Sequence, residues 1–252
     1  TQMSSINSKE GFTVGLLTTI DNELLPYMIS CLKSNNCNNI VVICDEKLKK
    51  DKDKIIWNER TGGYFEKKIN LSIYNIESPI IPFYFVDNHN SESVISIIKE
   101  TGTDCLLNAG TPRKLNKRII DVCDHGIVNI HPGILPKYKG CSAVEWSLYN
   151  DDKVGNTAHF MTEEYDVGPI IKFEWYEFTK CTDYQSIRVE VYKRGCMLAG
   201  RVLSLIMNSK LVPSDIPIQE KTTSKYWSPI TEDKMKIVSD RIKKSKYRYQ
   251  SL

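Results

Sequence analysis

Short apolar runs alternate with helical stripes through the first half of the chain. Residues 12–17 and 40–44 are almost wholly apolar, which predicts two buried strands. Between them Leu24, Leu25, Met28, Ile29 and Leu32 recur at the spacing of one helix face. Residues 45–57 are charged and Lys-rich, and predict an exposed helix. Residues 69–74 alternate apolar and polar, residues 80–86 are apolar and aromatic, and Glu77-Ser78-Pro79 marks a turn between them. Ser91 ahead of Val94, Ile95, Ile97 and Ile98 predicts a capped amphipathic helix. A strand is expected at 105–108, a turn at Ala109-Gly110-Thr111-Pro112, a helix over 113–123 and a further strand at 127–130.

Strand and helix thus alternate over the first half. That order predicts an α/β fold: a Rossmann-like, mostly parallel twisted sheet with helices on both faces. The later half differs. Residues 156–161 and 169–178 are extended runs around a short acidic loop, which predicts a small antiparallel hairpin. Thr182 and Asp183 offer caps for a long helix reaching Asn208, with Ile187, Val191, Leu198, Val202 and Ile206 on its buried side. Beyond Leu211 the chain turns Pro- and Thr-rich, and residues 240–252 are basic. The expected organisation is one catalytic domain over 12–208 and a short C-terminal extension over 209–252, with no internal repeat.

Composition changes this picture little. In 252 residues, 41% hydrophobic content is enough to build a core. A net charge of +3 is too small to argue for a nucleic-acid partner. The eight cysteines include no C-x-x-C pair and several sit in apolar runs, so they read as reduced core thiols. The four histidines lack the H-E-x-x-H spacing, and no metal is expected. No apolar run approaches the ~20 residues that span a bilayer, so no membrane is expected. The first eleven residues lack the apolar centre of a secretory signal, which makes the cytoplasm the expected compartment.

The chemistry concentrates in two places. Asn129-Ile130-His131-Pro132-Gly133-Ile134-Leu135-Pro136 runs from an apolar strand into a Pro/Gly-rich loop. Residues two apart on a strand share a face, so the amide of Asn129 and the imidazole of His131 lie side by side at a strand end. About thirty residues on, a strand-like run enters an acidic loop carrying Asp166 just before Gly168-Pro169. Each residue alone has a plainer reading: a strand-end turn residue, a hydrogen-bonded loop histidine and a turn-forming aspartate. His159 reads as a packed strand residue, His89 as a loop cap or pocket lining, and His125 as a surface residue. No Ser or Cys stands where a hydrolase triad would need it. Taken together, Asn129, His131 and Asp166 suit attack on a carbonyl by an external nucleophile. The amide would donate to the developing oxyanion, and the imidazole and carboxylate would manage the proton.

With Tyr138 and Gly140 added to the first stretch, and Ile170 and Ile171 to the second, the two motifs resemble those of the folate-dependent formyltransferases. Residues 105–178 carry the resemblance most strongly. It implies N10-formyltetrahydrofolate as donor and a primary amine as acceptor. Asn129, His131 and Asp166 match the family's catalytic trio. The resemblance further implies a pterin pocket walled by Gly110, Thr111, Arg113, Lys114 and Leu115 on one side and by Thr162 and Glu164 on the other. A homodimer is compatible with it, with no interface legible in the sequence.

Three acceptor classes compete. The ribonucleotide-dependent members resemble one another in a Gly-rich turn after the first strand, which holds a phosphate. Here residues 17–23 contain no glycine and two acids. The tRNA-dependent members resemble one another in a further basic domain, and the expectation here is a short basic tail. What remains is a small amine, and the chain length resembles that of the sugar N-formyltransferases, which implies a nucleotide-linked amino sugar; a ribonucleotide amine, amine-bearing peptides and other small metabolites stay open as acceptors. Tyr64, Phe65, Trp146, Tyr226 and Trp227 are candidates to stack on base or sugar, and Arg60 and Lys225 to meet a diphosphate. Two alternatives stand beside it: a formyltetrahydrofolate hydrolase, disfavoured because the first strand starts near residue 12, and a folate- or nucleotide-sugar-binding protein with a degenerate site.

Overall fold

Strand β1 (Thr13–Thr19) is buried along its whole length, as its apolar run requires. It lies between parallel neighbours β2 (Asn39–Asp45) and β4 (Cys105–Asn108), with β3 (Phe83–Val86) parallel outside β2 and β5 (Ile127–His131) parallel outside β4. The computed structural model describes residues 11–65, 81–220 and 225–251. The alternation at 69–74, the Glu77-Ser78-Pro79 turn and the first ten residues lie outside them.

The expected antiparallel hairpin is present: strands β6 (Val154–Phe160) and β7 (Ile170–Tyr176) pair antiparallel around the acidic loop. They extend the main sheet, whose order is β3-β2-β1-β4-β5-β6-β7. Antiparallel neighbours need only a short connection, so the acidic loop can return β7 directly onto β6. Gly168 makes that return possible, since a Cβ there would fall 1.7 Å from the Phe160 carbonyl oxygen.

Strand residues alternate between two cores. On one face Val14, Leu16, Val42, Leu107, Val128 and Phe160 pack against α1 (Leu25–Lys33) and the long helix α6 (Tyr184–Ser209). On the other, Leu17, Val41, Ile43, Leu106 and Ile127 pack against α3 (Glu92–Thr101) and α4 (Lys117–Ile120). Asp183 caps α6 as expected, accepting from the Ser186 N–H at 2.7 Å. Ser91 precedes α3 but makes no capping bond.

Two helices differ from expectation. The charged stretch becomes α2 (Asp51–Thr61), later than expected, because Asp45 stays in β2 as a buried acceptor. The helix expected over 113–123 shrinks to α4. Arg113 is held by Asp45 and the Lys114 carbonyl by Asn90, so helix begins only where Asn116 caps the Ile119 N–H. The basic tail is also better ordered than its composition suggests. Helix α7 (Glu232–Lys243) buries Val238 and Ile242 against Leu148 of α5 (Ala143–Tyr149), and β9 (Gln250–Ser251) pairs with β8 (Phe178–Thr179). Among the described residues no helix is long and apolar enough to cross a membrane.

Candidate active site

Chain connections from β1 lead to β2 on one side, and β4 pairs with it on the other. Open α/β sheets offer a crevice at the carboxyl ends of such strands. Here those ends bring together Thr19, Asn108 and His131.

Asn129 and His131 occupy alternate positions of β5, as their spacing requires. His159 stands directly opposite Asn129 on β6. The Asn129 amide is held at both ends: its Oδ1 accepts from Asn108 Nδ2 at 2.9 Å, and its Nδ2 donates to His159 Nε2 at 3.1 Å. The direction of this chain is fixed by backbone groups. Asn108 Oδ1 accepts from the Gly110 and Thr111 N–H groups at 3.1 and 2.9 Å, so Asn108 must donate onward. At the far end His159 Nδ1 donates to the Phe160 carbonyl at 2.9 Å, which leaves Nε2 as an acceptor. Asn129 therefore turns its N–H₂ end away from Asn108, with one N–H on His159 and the second available to the cleft.

Both imidazoles are buried. Burial pushes His159 down to about 4, which keeps it neutral and accepting at Nε2. Burial also pushes His131 below the ordinary imidazole range, while the Asp166 carboxylate pulls it the other way. His131 Nε2 donates to the Tyr138 carbonyl at 2.7 Å, so in the neutral ring Nδ1 carries the lone pair. That nitrogen lies 3.4 Å from Asp166 Oδ1. Asp166 sits in the β6–β7 loop with φ +57°, a conformation that aspartate tolerates. The Gly140 N–H donates to its other oxygen at 3.1 Å, and Gln219 Nε2 holds its backbone carbonyl at 3.2 Å. Two loops and one strand end thus bring the trio together. Asn108 and His159 hold the Asn129 amide from either side, a partnership that the sequence pattern did not mark.

Two clefts meet at Asn108 and Asn129. The first, about 300 Å³, is lined by Thr111, Arg113 and Lys114 on one wall and by Thr162, Glu164 and Asp166 on the other. Arg113 turns its guanidinium away onto Asp45, with contacts of 2.6 and 2.9 Å, and onto the Asp87 carbonyl. His89, fully buried, links the same wall to the sheet: its ring lies 2.6 Å from Thr111 Oγ1 and 2.9 Å from the Ile43 carbonyl. Leu115 is a core residue beneath the wall, and Gly110 faces the second cleft.

The second cleft, also about 300 Å³, is lined by Leu24 just ahead of α1, Met28 of α1, Trp57 of α2, Tyr192 and Cys196 of α6, and Asn22 and Asn156. It shares Lys49 and Trp57 with an outer chamber of about 370 Å³ that Asp21, Glu23 and Lys54 border. Both acids are already engaged. Glu23 accepts from Trp57 Nε1 at 2.5 Å, and Asp21 accepts from Thr19 Oγ1 and the Lys49 N–H at 2.7 and 2.9 Å. None of the seven residues expected to hold base, sugar or diphosphate lines these three spaces. Trp146 and Trp227 pack on each other, Phe65 packs on Trp57, Tyr226 bonds the Tyr165 carbonyl, and Arg60 bonds the Cys141 carbonyl. Trp57 and Tyr192, ring centroids 4.9 Å apart, are the aromatic lining instead. Among the other histidines, His125 is half-buried and lies 2.7 Å from the Leu211 carbonyl.

A family model described as "Formyl transferase" matches residues 19–194. The methionyl-tRNA formyltransferase of Clostridium tetani is 24% identical over 147 residues, covering 58% of this chain and 46% of that protein. The chain thus spans less than half the length of this curated relative. Among solved structures, glycinamide ribonucleotide transformylase 1 from Symbiobacterium toebii superposes with a TM-score of 0.57 at 19% identity, over 83% of this chain and 95% of that one. A sugar N-formyltransferase from Shewanella sp. gives 0.57 at 15% identity, over 90% and 86%. At such identities the likeness concerns the fold.

Proposed function

The chain belongs to the formyl transferase family, and on that premise we propose that it moves a formyl group from N10-formyltetrahydrofolate to the primary amine of a nucleotide-linked amino sugar. The observation that carries this reading is the shared wall: Asn108 and Asn129 line two clefts at once. A carbonyl presented from one side can then meet an amine arriving from the other, with the free Asn129 N–H at the junction.

In this reading Thr111, Arg113, Lys114, Thr162 and Glu164 contact the donor, Gly110 gives the loop its bend, and Leu115 anchors it. Asn129 donates to the carbonyl oxygen as the amine nitrogen bonds to the formyl carbon and charge collects on that oxygen. His131 Nδ1 takes the proton the amine nitrogen sheds, with Asp166 stabilising the imidazolium. As the bond from the formyl carbon to N10 breaks, the same proton passes to N10. The products are a formamide and tetrahydrofolate, and the balance needs no other reactant.

Acceptor class rests on the second cleft. Where a phosphate-binding turn would offer free N–H groups, this turn is self-satisfied: Leu24 N–H bonds Asn22 Oδ1, and Asn22 Nδ2 bonds the Ala109 carbonyl. Its two acids would repel a phosphate. The inner chamber is apolar and aromatic with amides at its edge, which suits a sugar ring. The outer chamber sets Lys49 and Lys54 against the same two acids, so it offers a diphosphate no net positive charge, and the acceptor reading rests on the inner chamber.

Tetrahydrofolate release tests the proposal. Release should require an amino sugar nucleotide. Release at the same rate without amine would make the protein a hydrolase, and no turnover across an amine panel would make it a binding protein.

A further inference from the structure

Asp166 sits in a loop that has little packing of its own. Residues 163–165 are exposed, and Asp166 itself is left-handed at φ +57°. Yet the carbonyls of this turn are gripped by side chains. Thr162 Oγ1 donates to the Glu164 carbonyl from within the loop. The remaining grips come from far along the chain. Tyr226 Oη donates to the Tyr165 carbonyl, and Gln219 Nε2 donates to the carbonyls of Asp166 and Gly168 at 3.2 and 2.7 Å. Among the described residues Gln219 Oε1 is buried without a partner. An apolar side chain would avoid that cost, so what this amide gains lies in its two donations.

Tyr226 and its neighbour also grip the second loop of the site. Tyr226 bridges Lys139 in parallel register, and the Trp227 N–H donates to the Lys139 carbonyl at 3.1 Å. Trp227 Nε1 donates to the Lys137 carbonyl at 2.9 Å, and its ring stacks on Tyr138 with centroids 5.5 Å apart. Gly140 permits this approach, because a Cβ there would fall 2.6 Å from the Trp227 carbonyl oxygen. The loop so held carries the Tyr138 carbonyl that accepts from His131 Nε2 and the Gly140 N–H that donates to Asp166. Gln219 and Tyr226 lie beyond the stretch that the family model matches. We propose that Gln219 and Tyr226 are positioning residues, which hold the Asp166 carboxylate at His131 Nδ1 by pinning the backbone on either side of it. This deepens the proposed reaction and rests on the trio acting as described there.

Gln219→Leu keeps an apolar side chain in place and removes both donations, and Tyr226→Phe removes one hydroxyl. Together they should lower kcat about ten-fold at near-constant acceptor KM. The loss should depend on the carboxylate. In an Asp166→Asn background the same two changes should cost about two-fold or less, because the charge they position is gone. A merely structural role would cost the same in both backgrounds. A second readout needs no turnover. Amide hydrogen exchange followed by NMR should speed about ten-fold at Gly140, whose N–H meets Asp166, while β5 and β6 amides keep wild-type protection. Unchanged exchange at Gly140 in the double variant overturns the proposal. So does an equal fold-loss of kcat with and without the carboxylate. A wild-type protein that turns over no amine would overturn the transfer reading instead, and Gly140 exchange would still decide whether Gln219 and Tyr226 hold the carboxylate.

Discussion

The two clefts that meet at Asn129 are built by different means. The wall assigned to the donor is a loop whose backbone is pinned from behind. Arg113 forks onto buried Asp45, His89 bridges Thr111 to β2, and Asn108 accepts two loop N–H groups. The side chains brace while the backbone is presented. The acceptor chamber is lined instead by side chains from α1, α2 and α6, and α2 buries only Thr61 fully, with Trp57 half-buried against the cleft. A ligand read by pinned backbone is hard to exchange, whereas one read by helix side chains changes with single substitutions. The same scaffold can thus keep one donor and vary its acceptor.

Variants that separate the two walls would sharpen this contrast. Asn129→Ala, in the shared wall, removes the oxyanion donor and should lower kcat about 100-fold or more, with both KM values little changed. A near-normal rate would break the account at its centre. Asn108→Asp is nearly isosteric, but its carboxylate cannot donate to Asn129 Oδ1. The Asn129 amide should then reverse, and kcat should fall about 30-fold. Steady-state kinetics with each substrate varied should show no change in acceptor KM. Trp57→Ala should do the opposite, raising acceptor KM about ten-fold, the scale of one lost stacking contact, while leaving donor KM and folding intact. An equal rise in both constants would mean that the clefts are not distinct.

The smallest effect is in stability against pH. His159 titrates near 4 when folded and near the ordinary 6.5 when unfolded. Between those values the unfolded chain holds the extra proton, so stability is complete above about 6.5 and falls as pH drops toward 4. His131 and His89 are shifted the same way by burial and add to the slope. His159→Gln keeps an acceptor for Asn129 and removes one proton from that slope, measurable by urea unfolding at pH 7 and pH 5.

What could be read from sequence follows the same division. The Asn129/His131 alternation and the Asp166 turn are local patterns, and so is the cap at Asp183. The partnership of Asn108, Asn129 and His159 is not local. It needs the parallel pairing of β4 with β5 and the register that sets Asn129 against His159, thirty residues away. His159 therefore looked like packing, which it also is. Trp57 was hidden in a Lys-rich helix whose stripe pointed outward, and its role follows from the Glu23 carboxylate that orients it. Helix α7 was masked by a charged, Thr-rich context, although its Met235, Val238 and Ile242 share one face and pack on α5.

The most direct test follows the formyl carbon itself. With ¹³C-formyl-labelled N10-formyltetrahydrofolate and an amino sugar nucleotide, NMR should show the label moving into a sugar formamide in step with tetrahydrofolate release. Asn129→Ala should slow that transfer about 100-fold. Label appearing as free formate, at a rate indifferent to the acceptor, would contradict the account.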